Sequence, residues 1–141
     1  MSNKEIIKNY TKRVWQQKDL SAIDDVFVVD AVIHSPLNTT QGAITMKSVV
    51  EKWLTAFPDL TIESDDFIAE GDQVVHRWKA SGTHMGSFFD TSPSHQEVTY
   101  SGITIFTLND DAKVAEYWAL VDMHAILAQL MKYESIADVV E

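Results

Sequence analysis

Asp122 stands where a β-rich run, Val114–Val121, gives way to Met123, Ile126, Leu127 and Leu130 at helical spacing. A carboxyl group at the rim of an apolar cavity is pushed toward its neutral form by desolvation, which makes it a usable general acid or base near neutral pH. The same residue occupies the N-cap position of the helix that follows, and Val121 with Ile126 has the spacing of the hydrophobic staple that accompanies a cap. Capping favours the charged carboxylate and so opposes a raised pKa. Both roles stay open, since one carboxylate has several acceptor sites.

The histidines are the other candidates. His34 closes the run Phe27–His34, just before a loop at Pro36, a place where function concentrates. His76 lies inside the run Val74–His84, whose period of two puts Val74, His76, Trp78, Ala80, Gly82 and His84 on one face. It reads as a hydrogen-bonded core histidine or a pocket residue. His84 adjoins Met85–Phe89, a segment able to act as a flap, while His95 and His124 read as exposed. A metal site is not expected. His76 and His84 would lie roughly 26 Å apart on a straight strand, and no H-E-x-x-H pattern exists.

Aromatic residues would supply the walls of a cavity. Trp53, Phe57, Trp78, Tyr100, Phe106 and Trp118 fall on faces read as core, and Tyr10 on the first helix is a further lining residue. Only two or three would be needed for a pocket, large aromatics being ordinary core material. In Val114–Val121, strict alternation puts Val114, Glu116, Trp118 and Leu120 on one face leading to Asp122. Ala115, Tyr117, Ala119 and Val121 take the other.

The elements that must position these residues follow from spacing. Ser2 and Glu5 have the capping-box interval, and Ile6, Ile7, Tyr10 and Val14 form an apolar stripe, predicting a first helix to about Gln17. A short helix capped by Asp19 carries Leu20, Ile23 and Phe27. After the strand Phe27–His34, residues Ser35–Gly42 read as loop. Met46, Val49, Val50, Trp53 and Phe57 predict a helix stopped by Pro58, which cannot donate a backbone hydrogen bond. Four strands follow, at about Leu60–Ala69, Val74–His84, Val98–Leu108 and Val114–Val121, with short connections that favour antiparallel neighbours. A last helix runs to about Lys132, and the tail Tyr133–Glu141 is either its extension or a frayed end. Helices first and strands after predict a single α+β domain, with helices on one face of a curved sheet and a pocket between them.

Composition narrows the partners. The 141 residues make about one domain, with 45% apolar residues and four Trp, four Tyr and six Phe to build a core. With no cysteine, disulfides and thiolate chemistry are excluded. A net charge of −10 disfavours nucleic acid and anionic membrane surfaces. The chain shows no signal-peptide pattern and no run of about 20 apolar residues, so a cytoplasmic location and a small hydrophobic partner are expected. No phosphate loop, dinucleotide fingerprint or nucleophilic serine motif is present.

Several segments taken together carry a resemblance: Val75-His76-Arg77-Trp78-Lys79-Ala80-Ser81-Gly82-Thr83-His84-Met85-Gly86, Tyr100-Ser101-Gly102-Ile103-Thr104-Ile105-Phe106, and Lys113-Val114-Ala115-Glu116-Tyr117-Trp118 followed by Asp122 and Gln129-Leu130. With Asp30–His34 and the Trp53–Pro58 helix end, they resemble the SnoaL-like polyketide cyclase family of the nuclear transport factor 2-like superfamily, over about residues 5–131. The resemblance implies a cone-shaped, curved antiparallel sheet with helices enclosing a deep hydrophobic pocket, and a homodimer formed through the outer sheet face. It also implies aldol ring closure without cofactor or metal, with an aspartate at the position of Asp122 as general acid/base. Cyclases of the family set further histidines beside that aspartate; here its neighbours are Leu120 and Val121, and Val98–Leu108 contains none. Two functions follow as expectations. One is an enzyme acting on a small hydrophobic carbonyl compound, a cyclase, isomerase or dehydratase, with Asp122 exchanging a proton and His34 or His76 stabilising the enolate. The other is a non-catalytic ligand-binding or dimerisation module.

Overall fold

The computed structural model describes residues 1–36, 38–88 and 90–140, with side chains described as far as Met131. Helix α1, Asn3–Thr11, begins where the Ser2 hydroxyl accepts the Glu5 N–H at 3.2 Å. It then widens into a π-turn, Lys12–Gln16, in which the Gln17 N–H reaches the Lys12 carbonyl at 3.1 Å. The extra residue per turn lets Val14 fill the core while Trp15 packs beside it. Asp19 accepts the Ser21 N–H at 3.1 Å just ahead of the short α2, Ser21–Val26, whose N-cap position is Leu20, so the expected Asp19 cap falls one residue early.

Strand β1, Phe27–His34, pairs with β2, Thr39–Gln41, a short strand inside the stretch expected as loop. Helix α3, Ala43–Ala56, ends one residue before Pro58 on Phe57. The long strands β3 (Thr61–Glu70), β4 (Gln73–Thr83), β5 (Glu97–Leu108) and β6 (Val114–Val121) form the antiparallel body of one curved, open sheet ordered β2-β1-β6-β5-β4-β3. One pair departs from the antiparallel expectation, since β1 lies parallel to β6. Helix α4, Met123–Val140, takes in most of the tail and packs against β5. No helix among the described residues is long and apolar enough to cross a membrane.

Two bulges reset the faces of this sheet. In β3 the register shifts between Ser64 and Asp66, leaving Asp65 unpaired. Ser64 and Phe67 can therefore both turn toward His76 of β4 although they are three residues apart. In β6, Thr107 pairs with Glu116 and Leu108 with Val114, so Ala115 is the extra residue. Beyond it the alternation inverts: Tyr117 and Ala119 are buried, while Trp118 and Leu120 are 43% and 61% exposed. The outer sheet face thus carries Trp118, Leu120, Ile103 and Ile68 as exposed apolar groups.

Candidate functional site

Two apolar clusters make up the interior, one around Tyr10, Phe27, Phe106 and Tyr117, the other around Phe57, Trp78, Tyr100 and Ile126. Between them lies a small chamber of about 40 Å³, against about 10–15 Å³ needed for one water. Its floor comes from the sheet: Ile62 of β3, His76 and Trp78 of β4, Tyr100, Thr104 and Phe106 of β5, and Tyr117, Ala119 and Val121 of β6. Its roof comes from Thr11, Trp15, Pro36, Val49 and Trp53. No carboxylate, lysine or arginine lines it among the described residues. A neutral, mainly apolar ligand fits such a lining; an ion would lose its water without a counter-charge.

The polar groups of the chamber are few. The Trp78 indole N–H donates to Thr104 Oγ1 at 3.0 Å, and the Tyr117 phenol lines the same wall. His76, 3% exposed, shares a 2.8 Å hydrogen bond between its Nε2 and Ser64 Oγ, and its ring stacks on Phe67 at 4.3 Å. Burial lowers its pKa to about 4 despite the nearby Asp66 and Asp65, so the imidazole is neutral at physiological pH. Desolvation raises the pKa of Tyr100, and that of Tyr117 even against the lowering influence of Thr104, so both phenols keep their protons.

Of the residues singled out from the sequence, Trp53, His76, Trp78 and Tyr100 line the chamber. Phe57 is fully buried behind it, packed on Trp53, Phe88 and Tyr100. Tyr10 is core as well, its ring set 5.4 Å from Phe27 and 5.8 Å from Phe106 and its hydroxyl buried without a hydrogen-bond partner among the described residues. Trp118 does not face the chamber, because the Ala115 bulge turns it outward. There its ring stacks at 3.8 Å on His34, whose Nδ1 meets Thr39 Oγ1 and whose Nε2 meets Glu116 Oε2, each at 2.9 Å. His34 thus ties β2, β1 and β6 together on the outer face instead of serving the cavity.

Asp122 is also outside. It is exposed, its Oδ1 accepts the Ala125 N–H at 3.0 Å, and it borders surface grooves with Lys79, Ser101 and Leu120. Val121 is the last β6 residue to reach the chamber. The structure therefore does not bring Asp122, His34 and His76 together. As a cap, Asp122→Ala should cost about 1 kcal/mol while Asp122→Asn should melt like the parent, a difference readable by thermal denaturation. Among the described residues, no three His, Asp or Glu side chains come together as a metal site would need.

Sequence reasoning missed Thr11, Trp15, Thr104 and Tyr117. Tyr117 follows from the β5–β6 register, which only the bulge position reveals, whereas Thr104 shares the period-two face of Tyr100 and Phe106, and that alternation was the available signal. Thr11 and Trp15 sit one residue past Tyr10 and Val14, and that neighbouring stripe was the available signal.

The SnoaL-like polyketide cyclase family matches residues 5–130. The chain belongs to that family. No curated protein matches it in sequence. Among solved structures it is similar to AclR, a candidate hydroxylase from Streptomyces galilaeus, at 31% identity over 92% of this chain and 96% of that one, with a TM-score of 0.80. A candidate polyketide cyclase from Acidithiobacillus ferrooxidans shares the fold at 24% identity, covering 94% and 99% of the two chains, with a TM-score of 0.80. IdmH, a candidate polyketide cyclase from Streptomyces antibioticus, shares it at 24% identity, covering 92% and 99%, with a TM-score of 0.77. Within the SnoaL-like fold, then, this chain sets neutral hydrogen-bonding groups around its chamber, and its Asp122 accepts the Ala125 N–H at the start of α4.

Proposed function

We propose that this chain binds a small hydrophobic, carbonyl-containing molecule in the chamber and acts on it without a cofactor, by proton transfer at the carbon next to the carbonyl. The observation that carries the reading is His76, a neutral imidazole built into the wall of a cavity that no charged side chain lines among the described residues. A buried neutral imidazole accepts a proton transiently, and the phenols and hydroxyl around it stabilise charge that develops on a carbonyl oxygen. Aldol ring closure, isomerisation and dehydration all pass through such a step. Because the Nε2 of His76 is engaged by Ser64, the Nδ1 takes the proton in this reading.

Hydrogen–deuterium exchange at the methyl group of acetophenone, followed by NMR in D₂O, tests it directly. His76→Gln keeps a polar group but no base, and the protein-dependent exchange rate should fall about 100-fold or more with little change in melting temperature. Exchange that survives His76→Gln but is lost in Asp122→Asn would return the acid/base role to Asp122. Capture of the ketone with no exchange above buffer would identify a binding module.

A further inference from the structure

Away from the chamber, a hydroxyl, an imidazole and a carboxylate stand in line on the outer sheet face. Thr39 of β2, His34 of β1 and Trp118 of β6 are neighbours across three strands, His34 pairing with each of the other two. The His34 ring meets Thr39 Oγ1 at its Nδ1 and Glu116 Oε2 at its Nε2, each at 2.9 Å, and the stack on Trp118 holds its plane. None of these four residues lines the chamber.

Chemistry fixes the direction of the chain. An ionised carboxylate only accepts, so the His34 Nε2–H donates to Glu116. In the neutral ring Nδ1 is then an acceptor, and the Thr39 hydroxyl must donate to it. A hydroxyl bonded to a base that a third group orients is the arrangement that activates a nucleophile. Thr39 is exposed while His34 is half-buried, so the hydroxyl is the member that a substrate meets first. The Trp118 indole, 43% exposed, adds apolar surface in the same row.

We infer that Thr39, His34 and Glu116 form a second reactive site, in which the Thr39 hydroxyl takes the acyl group of a small ester. Thr39 Oγ1 bonds to the ester carbonyl carbon as its proton passes to His34 Nδ1. The bond from that carbon to the alcohol oxygen then breaks, and the alcohol leaves with the Nδ1 proton. Water attacks the Thr39 ester in the same way, restoring the hydroxyl and releasing the acid. Glu116 keeps the ring in its Nε2–H form and stabilises the positive charge that develops on it. This site is independent of the chamber and of the chemistry proposed there.

The probe is 4-nitrophenyl acetate. The full chain should release 4-nitrophenol faster than buffer, and acid-quenched protein should carry an acetyl group on Thr39, located by peptide mass spectrometry. Thr39→Val, matched in shape, should lose that acetyl group, and Thr39→Ser should keep one at residue 39. His34→Gln should slow the acetylation about 100-fold, and Glu116→Gln at least about tenfold. In ¹⁵N-histidine-labelled parent protein at neutral pH, the neutral His34 ring should carry its proton on Nε2, and Glu116→Gln should shift it toward Nδ1. That measurement needs no substrate, and its parent spectrum decides the direction of the chain even if a variant folds poorly. Release no faster than buffer, acetyl groups on lysines alone, acetylation of Thr39 at the parent rate in His34→Gln, or a parent ring protonated on Nδ1 overturns the inference.

Discussion

Gly102→Ala is expected to destabilise the protein by about 3 kcal/mol, the upper part of the range for overpacking a well-filled interior. An added Cβ at this position would lie 2.4 Å from Trp78 Cζ2 and 2.6 Å from the backbone oxygen of Leu120. The first contact drives the indole away from β5 and breaks its hydrogen bond to Thr104; the second pushes on the neighbouring strand. Gly71→Ala is the comparison. A Cβ there meets nothing within 4 Å, and only its φ of +59° resists the change, a penalty of about 1 kcal/mol. Urea denaturation of both variants separates the two causes. If Gly102→Ala unfolds at the parent's midpoint, Trp78 does not occupy the space above residue 102, and the arrangement of the chamber wall described above is wrong.

Acid should weaken the fold well before the carboxylates titrate. The pKa of His76 is about 4 in the folded protein against about 6.5 for a free imidazole, so between those values the unfolded chain binds more protons than the native one. Stability is therefore fully present above about pH 6.5 and declines as the pH falls toward 4, by about 3 kcal/mol in total at roughly 1.4 kcal/mol per pH unit. His84 is shifted in the same direction by burial and adds to the slope. Asp19 and Asp59, whose pKa values are held low by hydrogen bonds from Ser21 and Arg13 and from Thr83, contribute their losses only at lower pH. Unfolding free energies from urea titrations at pH 7.0, 5.5 and 4.5 read this out, and His76→Gln should flatten most of the decline. An equally steep decline in that variant would assign the acid sensitivity to other groups.

What could be read from the sequence was what depends on neighbours along the chain. The Ser2 cap, the stop at Pro58 and the inward face of β4 all rest on spacing within a few residues, and each stands in the fold as read. Strand β2 escaped because three residues of Thr and Gln carry no apolar alternation. The π-turn at Lys12–Gln16 escaped because the apolar stripe continues through it with little change. The site was harder. His76, Trp78 and Tyr100 were legible as inward positions on regular strands, whereas Trp118 and Tyr117 were exchanged by a bulge fixed through pairing with a distant strand. Asp122 carried two readings that no local pattern separates; they differ only in whether the cavity extends one residue beyond Val121.

The extra residue at Ala115 also makes the chamber wall a matter of phase. Everything on β6 downstream of it is read in one frame, Tyr117 and Ala119 inward, Trp118 and Leu120 outward. Slipping the β5 pairing by one residue downstream of it would set Trp118 opposite Phe106 and Leu120 opposite Thr104, presenting an indole and an isobutyl group to the ligand in place of a phenol and a methyl group. A one-residue change of register could thus exchange a hydrogen-bonding wall for a bulkier one in one step, a change that point substitutions would need several steps to match. In this fold, the register of one strand is as much a determinant of what the cavity accepts as the identity of the side chains along it.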